Sequence, residues 1–431
     1  MSRKMKSSSI RWMESVPTNW SFRRLKDDFQ IVGGGTPDPR EIDAGFAIPW
    51  ATPADFSDAD CALAQTSRNI SKQGFREIGR NVVSTDGILL SCRAPAGKVA
   101  LPLLAVSFNQ GCKGLSPRHS GTNRHWFFYA LVDQRAQIEG LARGATFLEI
   151  SGESVKRVVL PFPPPDEQLR IAAWLDLQTT RIDKRRELLA KKRELLHDLK
   201  KSAIQEATFR GIARDVEIRD SEIAWLGQVP SHWKIMRIGS LFREAADDGV
   251  DGLPMLSVSI HSGISDKELD EVEMERKVSR SEDITLYKRV KPGDLVYNQM
   301  RAWQGAFGAA KIEGLVSPAY VVARPGPLVL PSFVEYLLRA PAAMDEIRRR
   351  SRGITEFRLR LYWTEFKNIR IALPPLKEQV EITAFLDRKL SQIARQITLI
   401  DQLDDLLKQQ RKAIIHEAVT GKIDLSAAFL E

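Results

Sequence analysis

Arginine is the residue type whose placement in this chain suggests a chemistry, because a guanidinium can bind phosphate oxygens and the edge of guanine. The densest group lies in the segment RRRSRGITEFRLR, residues 348–360, and a shorter related segment, ARGATF, occupies residues 142–147. A basic cluster that occurs at equivalent places in two halves of a chain favours contact with DNA. The predicted contacts in these segments are Arg143, Arg348, Arg349, Arg350, Arg352, Arg358 and Arg360.

Two shorter motifs add candidates for DNA contact. An R-A-x-x-G turn follows a β-like run in each half, at Arg93 and at Arg301. The segment NQGCK, residues 109–113, supplies amides that can read adenine. A single residue of this kind is more often solvated than in contact with a base, so the prediction depends on the repetition. It covers Arg93, Asn109, Gln110, Lys113 and Arg301.

Candidate catalytic and metal-binding groups are lacking in the sequence. The six histidines form no repeated pair with acidic residues, and the three cysteines have no C-x-x-C spacing. The glycine-rich segment at residues 33–37, GGGTP, lacks the Lys-Ser/Thr ending of a P-loop and is interpreted as a turn. No segment has the pattern of a methyl-donor site. We therefore predict no catalytic residue, no metal site and no nuclease or methyltransferase activity for the chain alone.

Composition is consistent with a polyanion partner. The chain has 431 residues, a formal net charge of +9 and a pI near 9.4. A basic surplus of this size suggests nucleic acid, although charge alone is equally compatible with a merely soluble basic protein. Cysteine usage indicates a reducing compartment, and neither a membrane span nor the apolar core of a signal peptide is recognisable. These features predict a cytoplasmic protein.

Two long helices must position the basic segments. Residues 163–207 recur, 211 positions later and without a gap, as residues 374–418, with 16 identities in 45 positions. Average residue usage would give roughly three identities by chance. Prolines precede each copy and no glycine follows until Gly211 and Gly421, which predicts one uninterrupted helix in each. The alternative is two unrelated surface helices, each packed on its own domain.

Apolar residues recur every seven positions in both copies. A heptad period favours a coiled-coil seam, so we predict that the two helices pair antiparallel and act as a ruler between two globular halves. Leu188 and Leu195 in the first copy, and Leu390 and Ile397 in the second, are expected to widen the seam. The residues predicted to pair the helices or to dock other subunits are Leu175, Ile182, Leu189, Leu196, Leu386, Ile393, Ile400 and Leu407.

A second repeated motif marks where each globular half begins. The pattern W-x3-V-P-x2-W occurs at Trp12–Trp20 and again at Trp225–Trp233. Its tryptophans are interpreted as core or interface packing. The predicted fold is two α/β (α+β) domains separated by two long antiparallel coiled-coil helices, with a pseudo-two-fold internal repeat. The predicted segments are residues 1–161 for the first domain with its N-terminal tail, 162–211 for the central helix, 212–373 for the second domain and 374–431 for the distal helix and tail.

These motifs together resemble the specificity subunits of Type I restriction-modification systems. The resemblance covers nearly the whole chain. It depends on the two W-x3-V-P-x2-W motifs, on G-G-T-P at residues 34–37, on I-P-W at residues 48–50, on Asn109-Gln110-Gly111 and on both P-P-x-x-E-Q helix starts. The P-P-x-x-E-Q start is the most specific of these, because it occurs twice at the expected place. The second half lacks G-G-T-P and N-Q-G, so residue roles transfer less well there.

The resemblance implies a non-catalytic subunit that reads a bipartite DNA sequence, with one target-recognition domain for each half-site. It implies that the helices set the spacing and hold two modification subunits, and that restriction (motor-nuclease) subunits join for cleavage. S-adenosylmethionine, ATP and Mg²⁺ would belong to those partners, with no cofactor bound by this chain. Two other functions remain open from the residues alone: a coiled-coil scaffold that does not read DNA, and a nuclease that cuts the DNA it binds.

Overall fold

The computed structural model describes residues 3–8, 10, 13–43, 45–57, 62–143, 149–213, 215–260, 263–265, 286–353 and 359–425. The chain divides into two compact units. The first unit comprises residues 1–189 and 401–431, and the second unit comprises residues 190–400. Trp12 of the first opening motif and Arg358 of the arginine-rich segment lie outside the described residues.

The first unit combines short strands with short helices and half of each long helix. A five-stranded sheet has the order β4-β12-β9-β10-β7 and a four-stranded sheet has the order β11-β6-β8-β5. The strands are β1 Met5–Ser7, β2 Ser15–Pro17, β3 Ser21–Arg24, β4 Phe29–Gly33, β5 Ile42–Asp43, β6 Ile48–Ala51, β7 Ala62–Leu63, β8 Asn69–Ile70, β9 Ile88–Ser91, β10 Val99–Pro102, β11 Ser107–Phe108, β12 Cys112–Pro117 and β13 Val159–Phe162. The helices are α1 Leu25–Asp28, α2 Lys72–Glu77, α3 Arg124–Asp133, α4 Arg135–Glu139, α5 Gly152–Lys156 and the long α6 Pro165–Arg210, which continues into the second unit.

The second unit has a four-stranded sheet of order β17-β24-β21-β22 and several two-stranded pairs. Its strands are β14 Ile218–Asp220, β15 Gln228–Pro230, β16 Lys234–Arg237, β17 Phe242–Ala245, β18 Ser257–Ser259, β19 Gly263–Ser265, β20 Lys288–Val290, β21 Leu295–Asn298, β22 Phe307–Ala309, β23 Gly314–Val316, β24 Tyr320–Pro325 and β25 Arg370–Leu373. Its helices are α7 Ile238–Leu241, α8 Pro331–Leu338, α9 Pro341–Arg350, α10 Trp363–Phe366 and the long α11 Leu376–Val419, which continues into the first unit.

The two units repeat the same succession of elements. The strand after each opening motif pairs antiparallel with the strand before the long helix, β3 with β13 and β16 with β25. A hairpin of adjacent strands carries the R-A-x-x-G turn in both units, β9–β10 and β21–β22. Strands β1 and β2 pair ahead of the first domain as β14 and β15 do ahead of the second. The predicted internal repeat of mixed α+β domains is therefore confirmed.

The long helices run antiparallel within each unit. In the first unit, Ile171 near the start of α6 shares a core with Ile415 near the end of α11. In the second unit, Ile204 near the end of α6 shares a core with Ile382 near the start of α11. The start of one helix thus lies with the end of the other in both cases. None of the helices in the described part of the chain is long and apolar enough to cross a membrane.

The heptad residues are removed from solvent. Leu175, Ile182, Leu196, Leu386, Ile393, Ile400 and Leu407 are buried, while Leu189 is half-buried. The expectation that Leu188 and Leu195 widen the seam was wrong, because their exposed fractions are 57% and 68%. The antiparallel partner covers a narrow stripe, and these leucines lie beside it.

The opening tryptophans are anchored to the helix starts. The indole Nε1 of Trp20 donates a hydrogen bond to Glu167 at 3.0 Å, and that of Trp233 donates to Glu378 at 3.2 Å. Both tryptophans are almost completely buried. A buried indole N–H needs an acceptor, and a carboxylate in the first turn of a helix is also stabilised by the helix dipole. The repeated P-P-x-x-E-Q start therefore supplies the partner that the repeated tryptophan requires.

The glutamine of the same motif holds the proline segment that precedes the helix. Gln168 donates to the carbonyl of Pro163 at 2.9 Å, and Gln379 donates to that of Pro374 at 2.8 Å. Both side chains are buried. Each motif thus fixes the direction in which its long helix leaves the domain.

Replacing Glu378 with alanine should destabilise the second unit. The change leaves the buried indole N–H of Trp233 without its acceptor, which costs about 1–3 kcal/mol in the free energy of unfolding. Chemical denaturation of the full chain would measure the loss. The matched control is Glu381→Ala, because the Glu381 side chain is exposed in the same helix. An equal effect of both substitutions would contradict the proposed anchor.

Candidate nucleic-acid interface

Three separated segments of the first unit meet at one edge of its domain. The amide of Gly35 donates to the carbonyl of Phe108 at 3.0 Å, and the indole of Trp50 donates to the carbonyl of Gly35 at 3.1 Å. The hydroxyl of Thr36 bonds the side-chain oxygen of Gln110. The G-G-T-P, I-P-W and N-Q-G motifs therefore form a single surface, although they lie up to 74 residues apart.

Gly34 makes this contact possible. A Cβ atom at this position would lie 2.2 Å from the carbonyl oxygen of Asn109 and 2.3 Å from that of Phe108. These are backbone atoms that cannot move aside cheaply, so the close approach requires glycine. The side-chain oxygen of Asn109 accepts from the amide of Gly111 at 3.0 Å, which sets the shape of the N-Q-G turn.

Arg93 lies beside the N-Q-G turn. Its backbone amide and that of Cys92 both donate to the carbonyl of Gly111, at 3.3 and 2.7 Å. Its guanidinium donates from Nε and Nη2 to one carboxylate oxygen of Glu149, at 2.9 and 2.8 Å. Lys113 approaches the other oxygen of Glu149 at 3.6 Å. One carboxylate thus contacts two of the predicted DNA-binding cations.

Arg143 joins the same group through the backbone. The amides of Arg143 and Glu149 each donate to the other's carbonyl at 3.0 Å. The structure therefore brings together all the DNA-contact candidates of the first unit. We call this group the first basic cluster: Arg93, Asn109, Gln110, Lys113, Arg143 and Glu149. Sequence reasoning missed Glu149, because no repeated motif includes it.

The second unit builds a related group from the same elements. The amide of Leu361 donates to the carbonyl of Gln299 at 2.9 Å, just ahead of the R-A-x-x-G turn that begins at Arg301. Arg352 and Arg360 exchange backbone hydrogen bonds of 2.9 Å, as Arg143 and Glu149 do in the first unit. We call the arginines gathered here the second basic cluster: Arg301, Arg348, Arg349, Arg350, Arg352 and Arg360.

Helix α9 presents the middle of the second basic cluster. The guanidinium carbon of Arg348 lies 5.6 Å from the ring centroid of Trp303, within cation–π range. Arg349 and Arg350 contact Glu346 at 3.1 and 2.8 Å, and their side chains remain 61% and 41% exposed. These arginines have acidic neighbours but keep solvent-facing donors.

The exposed part of the second basic cluster includes Arg352 and Arg360, whose mutual backbone hydrogen bonds we call the backbone bridge. Arg352 bonds Glu365 and is 69% exposed in its side chain, and Arg360 is also exposed. At the bridge position where the first unit has Glu149, the second unit has Arg360. The two clusters therefore share a geometry and differ in charge.

Metal or thiol chemistry has little support at these surfaces. Within the part of the chain that the structure describes, no three His, Cys, Asp or Glu side chains lie together as possible metal ligands. Cys92 and Cys112 flank the N-Q-G turn as free, buried thiols. Burial raises the pKa of Cys92 to about 12, so this thiol is protonated at neutral pH and is a poor nucleophile.

Comparison with known proteins gives consistent matches. Residues 17–194 match the profile of the "Type I restriction modification DNA specificity domain". The MjaIX specificity subunit of Methanocaldococcus jannaschii is 24% identical over 233 residues, covering 53% of this chain and 52% of that protein. The alignment thus spans about half the length of this relative. The MjaVIII specificity subunit of the same organism is 23% identical over 428 residues, covering 95% and 94% of the two chains.

A solved structure has a similar fold along almost the full length. That structure was described in a study called "Structural basis underlying complex assembly and conformational transition of the type I R-M system". The TM-score is 0.67 at 17% identity, with 95% of this chain and 99% of that chain covered.

Proposed function

Because the chain belongs to the family of Type I restriction-modification specificity subunits, we propose that it is the DNA-reading subunit of such a complex. Each unit reads one half of a split target, and the chain itself performs no catalysis. The observation that carries this proposal is the repeated basic cluster, which has the same backbone bridge in both units. A scaffold that ignored DNA would have no need of two such clusters.

The first basic cluster has the donors and acceptors for base reading. Asn109 and Gln110 offer amides, which suit adenine, and Arg93 offers a guanidinium, which suits guanine. Half-buried side chains on a turn held by Gly34 lose little conformational entropy on binding. The exposed arginines of the second basic cluster supply phosphate contacts, which contribute most of the affinity.

The long helices provide the surface for partner subunits. We propose that two modification subunits dock there, that restriction subunits join the complex, and that S-adenosylmethionine, ATP and Mg²⁺ bind those partners. The seam residues are buried within the units, except the half-buried Leu189, so we assign docking to apolar side chains outside the seam. Unpartnered apolar residues on paired helices support a protein partner. They include Leu188, Leu195, Leu199, Leu399, Leu403 and Leu406, whose exposed fractions are 57%, 68%, 45%, 63%, 45% and 60%.

Removing two arginines of the second basic cluster should weaken DNA binding without regard to sequence. Arg352 and Arg360 are the exposed pair of the backbone bridge. If each contacts one phosphate, the double alanine variant should lose affinity on the order of tenfold, and the slope of log affinity against log salt should become shallower by about 2. Fluorescence anisotropy of the full chain with labelled duplex DNA at several salt concentrations measures both quantities.

A control with the same charge change is Arg388→Ala with Arg395→Ala, two exposed arginines of α11. This control should retain the salt slope of the wild type. If the wild type itself shows no salt-dependent binding to DNA, the scaffold function is the correct one. Cleavage of the duplex by the purified chain would instead support a nuclease.

A further inference from the structure

Glu149 is an acidic residue inside a cationic surface. Its carboxylate receives two hydrogen bonds from Arg93 and an ion-pair contact from Lys113. The side chain of Glu149 is 33% exposed, that of Arg93 is 42% exposed and that of Lys113 is 13% exposed. The group is therefore partly shielded, and its charges interact more strongly than they would in free solution.

We propose that Glu149 is a specificity-determining residue of the first unit: its carboxylate orients Arg93 and Lys113 for base reading and limits their attraction to the phosphates of non-target DNA. The inference rests on the proposed DNA-binding function and assigns to it a residue that does not itself need to touch DNA. Specificity is a difference between two affinities, so it rises when binding to the wrong sequence becomes weaker.

The geometry explains how one carboxylate can both orient Arg93 and limit its attraction to phosphates. A guanidinium has donors on both edges, and Glu149 engages Nε and Nη2 of Arg93. The remaining donors keep a fixed direction beside the N-Q-G turn, because the backbone of Arg93 is bonded to Gly111. Non-target DNA offers phosphates to this guanidinium, and each phosphate must then compete with the carboxylate.

The second unit supports this reading by contrast. At the same place in the backbone bridge it has Arg360, so the acid of one unit is exchanged for a base in the other. The first unit therefore has an acid that restrains its cations at this position, and the second unit has an additional cation there. A duplicated domain that needed only phosphate affinity in both copies would gain from a basic residue at both positions.

Neutralising Glu149 should raise affinity for non-target DNA. In Glu149→Gln, Arg93 and Lys113 become available to phosphates, so the salt slope should steepen by about 1 to 2 and affinity should rise on the order of tenfold at low salt. The ratio of target to non-target affinity should fall. The target is first established from the methylation pattern of cells that carry the system, and both affinities are then measured by anisotropy with the full chain.

The charge-matched control is Glu153→Gln. Glu153 is an exposed acid of the same unit, and its partner is Lys156 at 2.6 Å. It should leave the salt slope and the affinity ratio unchanged. In an Arg93→Gln background, Glu149→Gln should have a smaller effect, because one of the released cations is absent.

The outcomes separate this inference from the proposed function. If the wild type binds DNA but the Glu149 and Glu153 substitutions change the salt slope and the affinity ratio equally, the role of Glu149 is overturned and the proposed function stands. Absence of salt-dependent binding by the wild type would overturn both. If Glu149→Gln does not fold, Arg360→Glu tests the same idea in the second unit, where it should lower non-target affinity and raise the affinity ratio. An unchanged ratio there counts against the inference.

Discussion

Exchanging the first domain for that of a relative should change one half of the recognised DNA sequence and leave the other half intact. The first unit contains its own hydrophobic cores and its own basic cluster, so the base contacts that we propose for it do not depend on residues 190–400. Such a change replaces every base contact of one half-site, which gives it the largest effect on recognition. Sequencing of methylated sites in cells measures both half-sites at once.

The boundaries of the exchange follow from strand pairing. Ser21 at the start of β3 pairs with Phe162 at the end of β13, so the transplanted segment should run from residue 21 to residue 162. Trp20 and Glu167 then remain together outside the segment. The reciprocal exchange uses residues 234–373, because β16 and β25 are the equivalent pair. A change in both half-sites after either exchange would show that the domains do not read independently.

Lengthening both long helices should widen the gap between the half-sites. Each unit contains half of each helix, and the chain passes between the units after Leu189 and after Ile400. Four helical residues inserted at both points leave the residues that pack within each unit in their own register. They add about 6 Å of helix at 1.5 Å per residue. Since DNA rises about 3.4 Å per base pair along each strand, we expect a spacer longer by one or two base pairs and unchanged half-sites.

The control is the same insertion after Leu189 alone. It lengthens one helix and not the other, so it forces the antiparallel pair out of register and buries exposed polar residues in place of the seam. Loss of modification in the single insertion, with a longer spacer in the paired insertion, is the expected result. An unchanged spacer with full activity in the paired variant would contradict the role of the helices as a ruler.

The local sequence determined the repeat and the main elements. Heptad spacing identified Leu175 and Leu386, both fully buried, because a helix places residues seven positions apart on the same face. The P-P-x-x-E-Q motif marked the start of each long helix, since proline suits the first helical turn. Such features depend on neighbours within a few turns of one another, and a single sequence contains that information.

Tertiary structure decided which apolar positions are covered. Leu188 and Leu189 are adjacent in the sequence, yet Leu188 is 57% exposed and Leu189 is half-buried. The heptad period allowed both to face a partner. Which of them does so depends on how α6 packs against α11, and these helices contact each other through residues far apart in the sequence, such as Arg186 and Asp404, which are 218 positions apart.

The partner of each candidate cation was likewise decided by the fold. The chain itself pointed to Arg93 and Arg143 through repeated motifs, but the acid that joins them, Glu149, lies 56 residues from Arg93. Its contact exists because β9 and the segment ahead of α5 meet, which is visible in the bond from Ile150 to Cys92. Side-chain types and short spacings therefore sufficed to predict that the surface is basic. The charge that restrains it arises from long-range chain pairing, which no local pattern specifies.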